Sequence, residues 1–98
     1  MKIEFDPDKD AINRQKHGLS LADAERMDFD TAIYRPDGRY DYGEDRIRSL
    51  GPIDGRLHML VFTMRGDVLR AISLRKANPR EVMRPVRGGL VRPRFLLF

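Results

Sequence analysis

The longest apolar run in the chain, Leu57–Thr63 (LHMLVFT), lies between two turn signals. Asp54-Gly55 precedes it and Arg65-Gly66-Asp67 follows it. An Asp-Gly pair between extended segments favours a two-residue hairpin, because both central residues must take positive φ. A short apolar run bounded by such turns reads as a strand buried on both faces. Its neighbours are extended too. In Arg46–Gly51, the side chains of Arg46, Arg48 and Leu50 point one way and those of Ile47 and Ser49 the other. In Val68–Arg75, regular alternation puts Arg70, Ile72 and Leu74 on one face and Leu69, Ala71, Ser73 and Arg75 on the other. Hairpin-length links make these strands antiparallel neighbours, with Leu57–Thr63 in the centre.

The rest of the chain is arranged around this meander. Lys2–Phe5 reads as a short strand. Asp6-Pro7 then starts a helix, with Asp6 as N-cap and Pro7 at the first position, and Gly18 ends it in the left-handed conformation. The apolar face of this helix is thin, with Ala11 and Ile12. Ser20 and Asp23 form a capping-box pattern for a second helix to about Met27, burying Leu21, Ala24 and Met27. Thr31–Arg35 is a strand and Pro36-Asp37-Gly38 a turn. Asn78, Pro79 and Glu81 signal a third helix that stops near Pro85. The expected order is β-α-α-β-β-β-β-α, an α+β fold with an antiparallel central β-sheet. Its helices pack on one face and leave the other open. Residues 1–86 are expected to form a single domain, with 87–98 a tail ending in Phe95-Leu96-Leu97-Phe98 that either docks or stays disordered.

Composition narrows the class. There is no cysteine, hence neither a disulfide framework nor a thiolate metal site. No apolar run of about 20 residues exists to cross a membrane, and the N-terminus lacks the apolar core of a signal peptide, so a cytoplasmic protein is expected. At this length about two-thirds of the unfolded surface is buried, a thin margin that leaves room for a homodimer. The net charge of +4 hides an asymmetry: residues 1–45 carry a net −5 and residues 46–98 a net +9. Eleven of the twelve C-terminal cations are arginine, whose planar fork matches phosphate bidentately. A polyanion partner is the implication.

Several residues could carry chemistry. Arg75 and Lys76 close the last strand and could grip a phosphate; they could equally be solvated surface cations. Arg46, Arg48, Arg70, Arg80 and Arg84 are placed near the same sheet. His17 could transfer protons, or simply complement the helix dipole in the last turn. His58 reads as a packed strand residue. Glu44, with Asp41 and Asp45, could supply a general base or form an acidic turn paired with Arg46. The acidic helices, with Asp8, Asp10, Asp23, Glu25 and Asp28, could dock a basic partner element or face solvent. The histidine spacing fits no metal motif, and there is no P-loop, GxGxxG or nucleophile elbow.

Taken together, Lys16-His17-Gly18, Leu21–Glu25, Asp41-Tyr42-Gly43-Glu44 with Arg46, and Ile72–Ala77 with Arg80-Glu81-Val82 resemble the BrnT family of type II toxins. The resemblance runs from about Lys2 to Arg84. It implies a RelE-like fold and a ribonuclease that stops translation; because RNA carries its own nucleophile, the 2′-hydroxyl, cutting is expected to need no metal or other cofactor. It also implies a ribbon-helix-helix antitoxin, BrnA-like, through which the pair reaches DNA. The matched functional candidates are His17, Glu44, Arg46, Arg70, Arg75 and Lys76, with RNA contacts from Arg48, Arg70, Arg80 and Arg84. Similar chains commonly continue the third helix through an aromatic where this one has Pro85, and residues 88–98 fall outside the pattern. The competing reading from the residues is a non-catalytic subunit that lends basic surface to a nucleic-acid complex. The two readings part on whether RNA is cut or only bound.

Overall fold

The computed structural model describes residues 2–37 and 45–83. Expectations for Asp41–Glu44, Arg84, Pro85 and the 87–98 tail lie outside them. Strand β1 (Lys2–Glu4) leads to helix α1 (Pro7–His17), a 3-10 helix (Leu21–Arg26), and strands β2 (Ile33–Pro36), β3 (Ile47–Ile53), β4 (Arg56–Arg65) and β5 (Val68–Lys76); helix α2 (Pro79–Met83) follows. The fold is α+β, around one five-stranded sheet in the order β1-β5-β4-β3-β2. Among the described residues no helix is long and apolar enough to cross a membrane.

The local signals explain the element boundaries. The Asp6 carboxylate accepts from the Asp8 N–H, and Gly18 at φ 71° closes α1 with its N–H on the Arg14 carbonyl. Asp54 (φ 50°) and Gly55 (φ 79°) both take the positive φ that a tight β3–β4 turn needs. Pro36 is accommodated in β2 because that strand lies at the sheet edge.

Three expectations are corrected. The sheet is mixed: β2, β3, β4 and β5 are antiparallel, but β1 pairs parallel with β5, Lys2 opposite Val68 and Glu4 opposite Arg70. No hairpin joins these strands, so their direction was not written in a turn. The second helix is 3-10 rather than α, so the element order expected from sequence is not matched there. Its buried residues Leu21 and Ala24, and the buried Met27 that caps its end, recur every three positions, the period of that tighter helix. Third, a β-bulge in β5 interrupts the alternation: Val61 pairs with Ser73 but Phe62 pairs with Ala71, leaving Ile72 as the extra residue. Past it every side chain changes side. Leu69, Ala71, Leu74 and Lys76 therefore share one face, and Arg70, Ser73 and Arg75 the other.

The core forms on the face covered by the 3-10 helix. Leu21, Ala24 and Met27 meet Tyr34, Ile53, Leu60, Phe62, Leu69, Ala71 and Leu74. Gly51 is required by this packing, since a Cβ there would lie 2.8 Å from Ala32 Cβ and 3.0 Å from Met27 Sδ. The expected apolar face of α1 is not what anchors that helix: Ala11 and Ile12 are exposed, and its buried residue is Asn13. The Asn13 amide accepts from the Leu74 N–H (2.9 Å) and donates to the Leu74 carbonyl (2.9 Å) and the Leu19 carbonyl (2.8 Å). It takes the place of a neighbouring strand where β5 runs past the end of β1. Asp10 is also spent inside the fold, accepting from the Ser20 hydroxyl and the Leu21 N–H.

Candidate functional site

The bulge decides where the strand-end cations go. Arg75 lies opposite Met59, and Lys76 opposite His58, so the adjacent residues project to opposite faces of the sheet. They do not form one clamp. Each has a different set of neighbours.

On the face turned away from the core, register brings arginines together. Arg35 of β2 is directly opposite Arg48 of β3, and Arg48 is opposite Val61, which pairs with Ser73 of β5. Like charges directly opposite on neighbouring strands are destabilising unless something offsets them. The Arg48 Nε is buried and has no hydrogen-bond partner among the described residues. Buried donors without an acceptor are rare in folded proteins and mark places where another requirement overrides stability.

Arg75 reaches the same face at the end of the sheet. Its Nη1 and Nη2 donate to Oε1 (2.7 Å) and Oε2 (2.8 Å) of Glu81, a bidentate pair. Glu81 is placed by the start of α2, where its Oε1 accepts from the Asn78 N–H and its own N–H donates to the Asn78 side chain. The hydrogen bond from Arg75 is the main force holding the Glu81 carboxyl below its ordinary value of 4.5; burial opposes it, and the Asn78 N–H and the charges of Arg75 and Arg48 add to it. Arg48 and Arg75 thus act on one carboxylate from two strands.

His17, exposed at the end of α1, is held below its ordinary value of 6.5 by desolvation first, then by the charges of Lys16 and Arg75. The imidazole therefore favours its neutral form at neutral pH, suited to accepting a proton. Arg70 is drawn away from the group, pairing with Glu4 at 3.1 Å. Arg46 is half-buried just before β3, its carbonyl accepting from the Asp37 N–H. Arg80 is exposed on α2. Glu44 and Arg84 lie outside the described residues.

Lys76 faces a groove of about 370 Å3 on the core side of the sheet end, lined by Leu19, Asp23, Arg26, Ile53, Asp54, Arg56 and His58 as well. His58 is buried as expected, yet it lines this groove rather than only filling the core.

Sequence reasoning missed two residues of this arrangement. Arg35 was legible in principle, since Tyr34 next to it carries the apolar signal and forces Arg35 to the opposite face. Glu81 was visible only as a cap; nothing in its spacing from Arg75 foretells a bidentate pair across the strand–helix corner.

Arg35, Arg48 and Arg75 share the sheet face opposite the main core of a small α+β domain, a distribution that suits a polyanion. The BrnT family, described as the ribonuclease toxin of a type II toxin-antitoxin system, matches residues 5–81. That span covers most of the chain, which therefore belongs to this family of ribonuclease toxins, with RNA as target and an antitoxin as partner. No curated protein matches the chain.

Proposed function

We propose that the chain is a metal-independent endoribonuclease of the bacterial cytoplasm that stops translation by cutting RNA, and that a ribbon-helix-helix antitoxin neutralises it. The observation that carries this reading is the pairing of Arg35 with Arg48 around a buried Nε that has no hydrogen-bond partner among the described residues, next to Arg75 and Glu81. Like charges and an orphan donor are offset together when a phosphate lies among them. RNA supplies its own nucleophile. Its 2′-oxygen attacks the adjacent phosphorus, the bond to the 5′-oxygen breaks, one group accepts the 2′ proton and another protonates the departing oxygen. Arg48, Arg75 and Arg46 are assigned to the phosphate and its growing charge, and His17 to proton transfer. Lys76, on the opposite face, is not assigned to this phosphate. Contact with DNA is expected only through the antitoxin complex.

The bidentate closure of Arg75 on Glu81 favours a second reading, a subunit that binds without cutting, because a phosphate must compete with Glu81 for that fork. Induction of the chain in bacterial cells, beside an Arg48→Ala/Arg75→Ala version at matched protein level, separates them. Growth arrest with new RNA 5′ ends in the wild type alone is expected. Normal growth with intact RNA in both overturns the ribonuclease reading in favour of the binding subunit.

A further inference from the structure

We propose that the groove beneath Lys76 is a nucleotide subsite: Lys76 and Arg56 take the phosphate, and His58 with the apolar wall takes the base and sugar. It is separate from the arginine face, because Arg75 and Lys76 project to opposite sides of the sheet. Its volume, about 370 Å3, falls within the usual range for small-ligand sites, about 300–1,000 Å3.

The charges in the groove are unequally spent. Asp23 and Asp54 both pair with Arg26, so the two acids share one cation. Lys76 and Arg56 are exposed and have no ion pair among the described residues. Among the described residues they are the groove's cations open to an anion. Leu19 and Ile53 give an apolar wall of the kind a base lies against.

His58 supplies direction. Its Nδ1 lies 2.7 Å from the Arg56 carbonyl. A carbonyl only accepts, so Nδ1 carries the hydrogen, and in the neutral ring Nε2 is left as an acceptor. Nε2 has no partner among the described residues and suits a base amino group or a ribose hydroxyl. The same carbonyl bond fixes the ring against the backbone of Arg56, whose side chain also lines the groove. A strand of RNA passing over the end of β5 meets Arg75 on one face and Lys76 on the other. The subsite rests on the ribonuclease reading for its purpose, though not for its occupancy.

The test is NMR of the 15N-labelled chain with a short, mixed-sequence 2′-O-methyl RNA, which lacks the free 2′-hydroxyl needed for cutting, and separately with inorganic phosphate. The oligonucleotide is expected to shift the His58 ring signals. Lys76→Ala and Arg56→Ala, both at exposed positions, are each expected to weaken its binding about tenfold, the low end for one charge-assisted contact. The proposal is overturned if saturating oligonucleotide moves the Arg48 and Arg75 side-chain signals while His58 stays still. It is equally overturned if inorganic phosphate alone reproduces the full His58 shift, which makes the groove a bare anion site. If His58 shifts while unmodified RNA survives incubation with the chain, the subsite stands and the ribonuclease reading falls.

Discussion

Glu81 serves two structures with one carboxylate: it caps α2 through the Asn78 N–H and holds the fork of Arg75. Replacing it with alanine removes both roles. The pair is partly solvated, which discounts its Coulombic share, so Glu81→Ala is expected to cost about 1–2 kcal/mol in urea unfolding. A loss under 0.3 kcal/mol would contradict the double role. The pH dependence has a definite sign. The folded carboxyl titrates below its ordinary 4.5, so its stabilisation is complete above that value and disappears as pH falls through the lower folded value. His17 gives a second test. Desolvation, Lys16 and Arg75 all favour its neutral form, so its NMR titration should centre below 6.5. Folding is then favoured above pH 6.5 and loses this contribution as pH falls through the depressed value. Arg75→Ala should move the midpoint upward; an unmoved midpoint means that Arg75 does not act on His17.

At the scale of elements, Asn13 decides how α1 sits on the sheet. The amide satisfies both the N–H and the C=O of Leu74. Asn13→Ala leaves those buried groups without partners and should cost about 2–4 kcal/mol in denaturant unfolding. A cost under 1 kcal/mol would show that water or a shifted α1 replaces the amide. The same element shows why only part of the fold was legible in the sequence. Caps and hairpins depend on neighbouring residues, so Asp6, Gly18, Ser20 with Asp23, and Asp54-Gly55 announced themselves. Ala11 and Ile12 looked like an anchor because they are apolar, while the anchor is a polar side chain whose partner is 61 residues away. The bulge at Ile72 is a tertiary compromise with no local sign, since VLRAISLRK alternates well enough for an unbroken strand. It sets which face each strand-end cation takes, Arg75 away from the main core and Lys76 toward it, while their separation follows from strand alternation alone. The parallel pairing of β1 with β5 was hidden for a related reason: the helices between them erase any turn signal that could fix direction.

For the whole molecule, the charge asymmetry acquires a location. Of the basic half, Arg48 and Arg75 project from the core-free face, Lys76 and Arg56 border the groove, and the strand end lies between. Several acidic side chains of the N-terminal half hold the backbone, Asp6 and Asp23 as caps and Asp10 on the Ser20 hydroxyl and the Leu21 N–H. The family carries the expectation of RNA cleavage. The most direct test incubates the purified chain with RNA in EDTA, beside an Arg48→Ala/Arg75→Ala version shown to be folded, and maps the new ends. The account predicts cutting by the wild type with chelator present, leaving 5′-hydroxyl and 2′,3′-cyclic phosphate ends, and at least a hundredfold less by the double variant, about the loss of one strong transition-state contact. Cutting that stops with EDTA, or persists unchanged without the two arginines, would contradict it.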